Sequence, residues 1–208
     1  MAEMSEDVAA AATRATIRRH ATELFAHYGF QKTNIGDIAK RCEMSPGNLY
    51  RFYRNKQAIG LAVVRAYFDL VEASMEMALI TAPPDKTARI RAFLDVGVSH
   101  LVDELERNPK IVDLAEFLCE DEEGWALLGD HIAWKRARLV REITAGVDAG
   151  VFACDDPEAM ATTMLNALKA FWMPMTLAGW RDRTTIMPEM RAIVDLMLRG
   201  LAAPKLEG

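Results

Sequence analysis

Residues 33–56 read TNIGDIAKRCEMSPGNLYRFYRNK. Thr33 or Asn34 can cap a helix, with Asp37 at capping-box spacing from Asn34. Ile35, Ile38 and Ala39 share one face of that helix, and Cys42 extends the stripe. About two turns long, it is too short to stand alone. Glu43-Met44-Ser45 then turns the chain. Ser45 caps a second helix, and Pro46 takes its first position, where a missing N–H costs nothing. Leu49 and Tyr53, four residues apart, share its buried face. Two short helices joined by a three- to four-residue turn make a helix-turn-helix candidate. In that arrangement the second helix enters a major groove end on.

The residues at the head of the second helix suit that task. Ser45, Pro46, Gly47 and Asn48 are small, so the helix end can approach base edges closely. Asn48 has the chemistry for bidentate pairing with adenine. Tyr50, Arg51, Arg54 and Lys56 can bond flanking phosphates, which positions a protein without reading sequence.

Outward from this stretch, residues 13–29 place Ile17, Ala21, Leu24, Phe25 and Tyr28 on one helical face, opposite Arg14, Arg18 and Arg19. Gly29 is the expected stop. Three short helices therefore fall between residues 13 and 54. Formal net charge is −5, yet residues 13–56 carry nine basic and three acidic side chains, a local charge of +6. Residues 57–208 carry 16 basic and 24 acidic ones, a local charge of −8. A basic front on an acidic body is the distribution expected of a nucleic-acid-binding segment.

The stretch TNIGDIAKRCEMSPGNLYRFYRNKQAI resembles the DNA-binding domain of the TetR family of bacterial transcriptional regulators. Thr33, Ile38-Ala39, Ser45, Gly47, Leu49-Tyr50 and Lys56 fall on that family's pattern. The resemblance implies that Thr33, Tyr50 and Lys56 contact backbone phosphates, and that Ser45 to Asn48 lie in the groove; Asn34 is a further candidate DNA contact. It also implies a symmetric dimer formed by the last two helices, and a small effector that releases DNA. Two positions depart from the pattern. Glu43 stands where a turn glycine is usual, and a left-handed conformation there costs roughly 1–2 kcal/mol. Phe52-Tyr53 inverts the usual polar-ring-then-Phe order, so the Tyr53 hydroxyl needs a partner.

From Gln57 the helical periods lengthen. Helices are expected over 57–80, 86–107, 110–120, 122–150, 156–180, kinked at Pro174, and 187–200. No strand-like alternation is visible. The expected fold is all-α, with about nine helices. Residues 1–56 form a three-helix helix-turn-helix domain, and residues 57–208 a larger helical domain for effector binding and dimerisation. Phe68, Met75, Phe93, Phe117, Trp125, Trp134, Phe171, Trp172, Met173 and Met175 are candidate cavity-lining side chains, pointing to an apolar or aromatic effector. Met160, Met164, Leu168, Ile193, Leu196, Met197 and Leu198 are the candidate dimer surface.

Other classes fit less well. Hydrophobic residues are 51% and charged residues 26%, a globular composition. No run is long and apolar enough to span a bilayer. The acidic, Ala-rich start lacks a secretory pattern, so the cytoplasm is expected. Cys42, Cys119 and Cys154 suggest neither a disulfide framework nor zinc. His20, His27, His131 and the His100/Glu104 pair have no tight metal spacing, and no phosphate loop, HExxH or nucleophile elbow is present. The expectation is a non-enzyme without cofactor or metal, whose partners are a palindromic duplex operator, a small effector and a second copy of itself. The rival is a helical ligand-binding or protein-interaction protein without operator binding.

Overall fold

The computed structural model describes residues 2–178 and 183–203, with side chains from residue 7 onward. These residues form ten α-helices and one 3-10 turn, and contain no β-strand. The chain divides into two compact units. One comprises residues 1–68 with 107–127, and the other residues 69–106 with 128–208.

In the first unit, α1 (Ala2–Tyr28) starts well before the expected Thr13. The run Ala9–Ala12 is strongly helix-forming. The hydroxyls of Thr13 and Thr16 bond back to the Ala9 and Ala12 carbonyls at 2.9 and 3.1 Å, so neither caps. The helix stops at Gly29, whose φ of 90° is costly for any residue with a Cβ. After it come α2 (Ile35–Arg41), α3 (Pro46–Tyr50) and the first turns of α4 (Lys56–Thr81). The unit is completed by α6 (Ile111–Glu120) and the start of α7 (Glu122–Asp148). Ile17, Ala21, Phe25, Ile38, Leu49 and Ile59 build the core. Phe30 meets Phe25 edge-on at 5.1 Å and stacks on Phe117 at 4.5 Å. A Cβ on Gly60 would lie 2.8 Å from the Phe30 ring, so that glycine lets the ring settle on the α4 backbone.

The second unit contains the rest of α4 and α7, α5 (Lys86–Arg107) to residue 106, α8 (Pro157–Ala167), a 3-10 turn (Lys169–Trp172), α9 (Pro174–Leu177) and α10 (Arg183–Leu201). The C-terminus of α7 is closed by Gly150 at φ 67°, with Gly150 N–H to Val147 O and Val151 N–H to Gly146 O, both 2.9 Å. Asp156 caps α8 through Ala159 N–H at 3.0 Å, and Pro157 follows at the first position.

The stretch 156–180 is not one kinked helix. Residues before proline avoid the α region, and Met173 is extended at φ −112°, ψ 115°. Pro174 therefore restarts the chain as α9 instead of bending it, and its helix divides into three pieces. Residues 179–180 of the expected segment lie outside the described residues. The final helix begins at Arg183, ahead of the expected 187, with Pro188 inside it.

Candidate nucleic-acid interface

Local chemistry builds the α2–turn–α3 segment. Asn34 is the N-cap of α2: its side chain accepts from Asp37 N–H at 3.0 Å, and Asp37 accepts from Asn34 N–H at 3.3 Å. Thr33 does not cap. It is 2% exposed and its hydroxyl donates to Gly29 O at 2.9 Å. The phosphate contact implied for its side chain is thus corrected to a positioning role, because burial leaves it no surface.

The turn after α2 is a glycine-type stop built without glycine. Met44 N–H bonds Ala39 O at 3.0 Å and Glu43 N–H bonds Lys40 O at 3.2 Å. This pattern requires a left-handed residue between the two helices. Glu43 supplies it at φ 55°, the only positive φ outside glycine among the described residues.

Ser45 then caps α3 by accepting from Asn48 N–H at 3.2 Å, and Pro46 opens the helix. Leu49 is fully buried and anchors these five residues. The Tyr53 hydroxyl finds its partner in Arg14 O, 3.4 Å away on α1, and burial pushes its pKa up. The Arg14 guanidinium lies 6.0 Å over Phe52, giving that ring a structural contact in place of a phosphate.

What remains on the outside is Ser45, Pro46, Gly47, Tyr50, Arg51 and Arg54, with Asn48 half-exposed. Tyr50 is 53% exposed. A Cβ on Gly47 would meet nothing within 4 Å. Its own chain does not demand a glycine there. Lys56 is different. Its Nζ donates to Phe30 O at 2.9 Å and Gln31 O at 3.2 Å, 4.6 Å over the Phe30 ring. Burial lowers its pKa, and its side chain locks the α1–α2 connection.

Two carboxylates escaped the sequence reading. Glu23 holds Arg19, His20 and Arg41 at 3.3–3.4 Å, and its pKa is lowered first by the His20 hydrogen bond. Glu123 pairs with Arg54. Glu23 could have been found from its i−4 and i−3 neighbours, whereas Glu123 is remote in sequence.

The candidate cavity residues divide. In the second unit, Phe93 and Trp134 stack at 6.0 Å, and Trp134 lies parallel to His131 at 6.5 Å. The Trp172 ring and Met75 Sδ both press on the α-carbon of Gly97, where a Cβ would lie 2.6 and 2.9 Å from them. Phe171 is buried and Met175 half-buried. Phe68 and Phe117 belong to the first unit, beside Arg65 and Phe30 respectively. Trp125 is 56% exposed on the same unit. Phe117 stacks on Phe30 and Trp125 lies on the surface, since helical period predicts that a ring faces inward but not into which core.

Sequence reasoning also passed over Lys135. It is 3% exposed, with Nζ 4.0 Å from the Trp172 ring centre. Burial pushes its pKa down to about 7, against the attraction of Glu72. His131, one turn earlier, bonds Glu72 at 2.8 Å. The signal was present: 131, 135, 139 and 143 form the inward stripe of α7 at helical spacing. Among the described residues no three metal-ligating side chains cluster, and no helix is long and apolar enough to cross a membrane.

Of the candidate dimer residues, Met164 and Leu168 are wholly buried by their own chain and offer a partner nothing. Met160, Ile193 and Met197 are half-buried, and Leu196 is 65% exposed.

Residues 17–63 match the family model described as bacterial regulatory proteins, tetR family. Residues 87–194, more than half of the chain, match the tetracyclin repressor-like C-terminal domain. Transcriptional regulator AcuR of Cereibacter sphaeroides is 25% identical over 177 residues, 82% of this chain and 76% of that protein. A TetR-family transcriptional regulator from Pectobacterium atrosepticum superimposes with a TM-score of 0.70 at 23% identity, covering 95% of this chain and 97% of that one. SmeT, the repressor of the Stenotrophomonas maltophilia multidrug efflux pump SmeDEF, does so with a TM-score of 0.70 at 17% identity, covering 92% and 91%.

Proposed function

The chain belongs to the TetR family of bacterial regulatory proteins, and on that premise we propose that it is a homodimeric, ligand-responsive transcriptional regulator. In this reading it is a cytoplasmic repressor, released from a palindromic operator by a small effector with an apolar or aromatic body. Residues 1–56 serve DNA and residues 57–208 serve effector and dimer.

The observation that carries the reading is the build of α3. Its buried side is anchored by Leu49 and Tyr53, while Ser45, Pro46 and Gly47 at its head are exposed, Asn48 is half-exposed, and nothing in its own chain demands a glycine at 47. Asn48 is assigned to base edges. Tyr50, Arg51 and Arg54 are assigned to phosphates. Thr33, Asn34 and the Lys56 ammonium hold the segment in place, and Asn55 caps α4 by accepting from Ala58 N–H at 2.8 Å. The dimer surface is assigned to Met160, Ile193, Leu196 and Met197. One short helix offers little contact area, so two copies related by a two-fold axis read two half-sites.

The test is an anisotropy titration of the full chain against DNA from upstream of its own gene. The reading requires a sequence-selective complex that weakens steeply with salt. Tyr50→Phe should weaken binding to all sequences alike, and Asn48→Ala should change preference among them. Binding that ignores both sequence and salt overturns the assignment.

A further inference from the structure

We propose that the second unit grips its effector by an oxyanion, a carboxylate that accepts from both Lys135 Nζ and Trp172 Nε1. This rests on the reading of the chain as effector-responsive and names the effector's chemical class.

The argument starts from two neighbouring donors. Lys135 is 3% exposed, and among the described residues its ammonium makes no ion pair and lies over a ring instead. Its contact is the face of the Trp172 indole. The Nε1 of that same indole is buried and has no acceptor among the described residues. A buried donor left unmade is costly, and a buried charge without a counter-ion more so. One oxyanion beside the ring would satisfy both donors with charge-assisted bonds.

The nearby carboxylates are already committed. Glu72 bonds His131 at 2.8 Å, and Glu76 takes Arg138 at 3.1 Å. Neither reaches Lys135 at bonding distance. Burial depresses the pKa of Lys135 against the attraction of Glu72, and an arriving carboxylate would favour the charged form.

The neighbouring side chains favour one kind of ligand body. Trp134 stacks between Phe93 and His131 on the α5 and α7 side. Met75 and the Trp172 ring lie over Gly97. An apolar or aromatic body suits these walls, with the acid group at the Lys135 end. Trp172 ends a four-residue 3-10 turn and is followed by the extended Met173 and by Pro174, so no continuous helix runs through it.

The experiment is calorimetric titration of the full chain with benzoate and hexanoate, each beside its neutral amide. The expected result is that at least one carboxylate binds about tenfold or more tightly than its amide. Lys135→Met should abolish that preference. Trp172→Phe, which keeps a ring but removes Nε1, should lower carboxylate affinity several-fold and spare the amide. If neither carboxylate outbinds its amide, or if Lys135→Met binds carboxylates like the parent, the proposal is overturned. An operator titration on the same protein without added probe separates the two readings. An operator complex with no carboxylate preference sinks the oxyanion site alone, and carboxylate binding without an operator complex sinks the regulator reading alone.

Discussion

Arg54, just past the end of α3, is held in an ion pair by Glu123 in the first turn of α7. Both side chains are well exposed, so the pair contributes little to folding. Its consequence is for binding, because an acidic group competes with phosphate for the guanidinium. Glu123→Gln should leave the melting temperature within a degree or two. It should tighten operator binding several-fold at low salt, and steepen the dependence of log Kd on log salt by roughly one phosphate's worth. Unchanged affinity and slope in the anisotropy titration would take Arg54 off the interface.

The turn between α2 and α3 carries strain that one substitution relieves. Glu43 sits at φ 55° with its carboxylate exposed. Glu43→Gly removes a conformational cost of ~1–2 kcal/mol, less the extra entropy glycine brings to the unfolded chain. A net gain of ~0.5–1 kcal/mol should appear in urea unfolding. Operator affinity should also rise, since a negative charge leaves the approach to DNA. A less stable Glu43→Gly protein would contradict this account of the turn.

Within the second unit, Arg89 bonds Glu142 through Nε and Nη2 at 2.7 and 2.8 Å and donates to Leu79 O at 2.6 Å. The Arg89 hydrogen bond holds the Glu142 carboxyl below its ordinary pKa. For a carboxylate lowered in the folded state, the stability it contributes is present above the unfolded pKa. It is lost as pH falls through the folded one. Glu142→Gln should therefore cost ~1–3 kcal/mol at pH 7. The gap to the parent should close in the acid range below the usual carboxylate pKa. Thermal melts across that range read it directly, and a gap independent of pH would assign the loss to packing.

Lys135 predicts the opposite sign. Its pKa falls from about 10.4 in an unfolded chain to about 7 here. A base depressed by burial opposes folding wherever the unfolded chain would be charged. The cost is full below about pH 7 and vanishes as pH approaches 10. Lys135→Met, which keeps the chain length and drops the charge, should stabilise the apo protein at pH 6.5 by up to ~4 kcal/mol. That gain should shrink steadily towards pH 10 in denaturant titrations. Glu72, His131 and Arg138 titrate or carry charge nearby, so the parent and variant are compared at each pH. A variant less stable than the parent at pH 6.5 would mean that the ammonium already has a counter-ion.

The family and the reading segment were legible in the sequence because the rules that build them are short-range. Asn34 with Asp37, Ser45 with Pro46, and the stops at Gly29 and Gly150 act over three or four residues, and the structure realises each locally. The cavity list was far less legible. Phe117, Trp125 and Trp134 sit in helices of the right period, yet one stacks on Phe30, one lies on the surface and one joins Phe93. Periodicity gives a residue's inward face and is silent on which neighbours arrive to cover it. Pro174 was legible as a disturbance, but whether it bends or breaks a helix depended on Met173 being free to extend.

An all-α chain of the TetR family, with a small-headed helix on a basic segment, could be read from residue order, because capping, proline and glycine geometry and helical period are properties of neighbours along the chain. Long-range packing alone turns Thr33 and the Lys56 ammonium inward to carbonyls, gives Arg54 to Glu123, and seals Lys135 against Trp172. Each of those outcomes depends on which groups from distant segments meet in a low-dielectric space. Burial and pairing are set by packing in three dimensions, and residue type alone does not encode them.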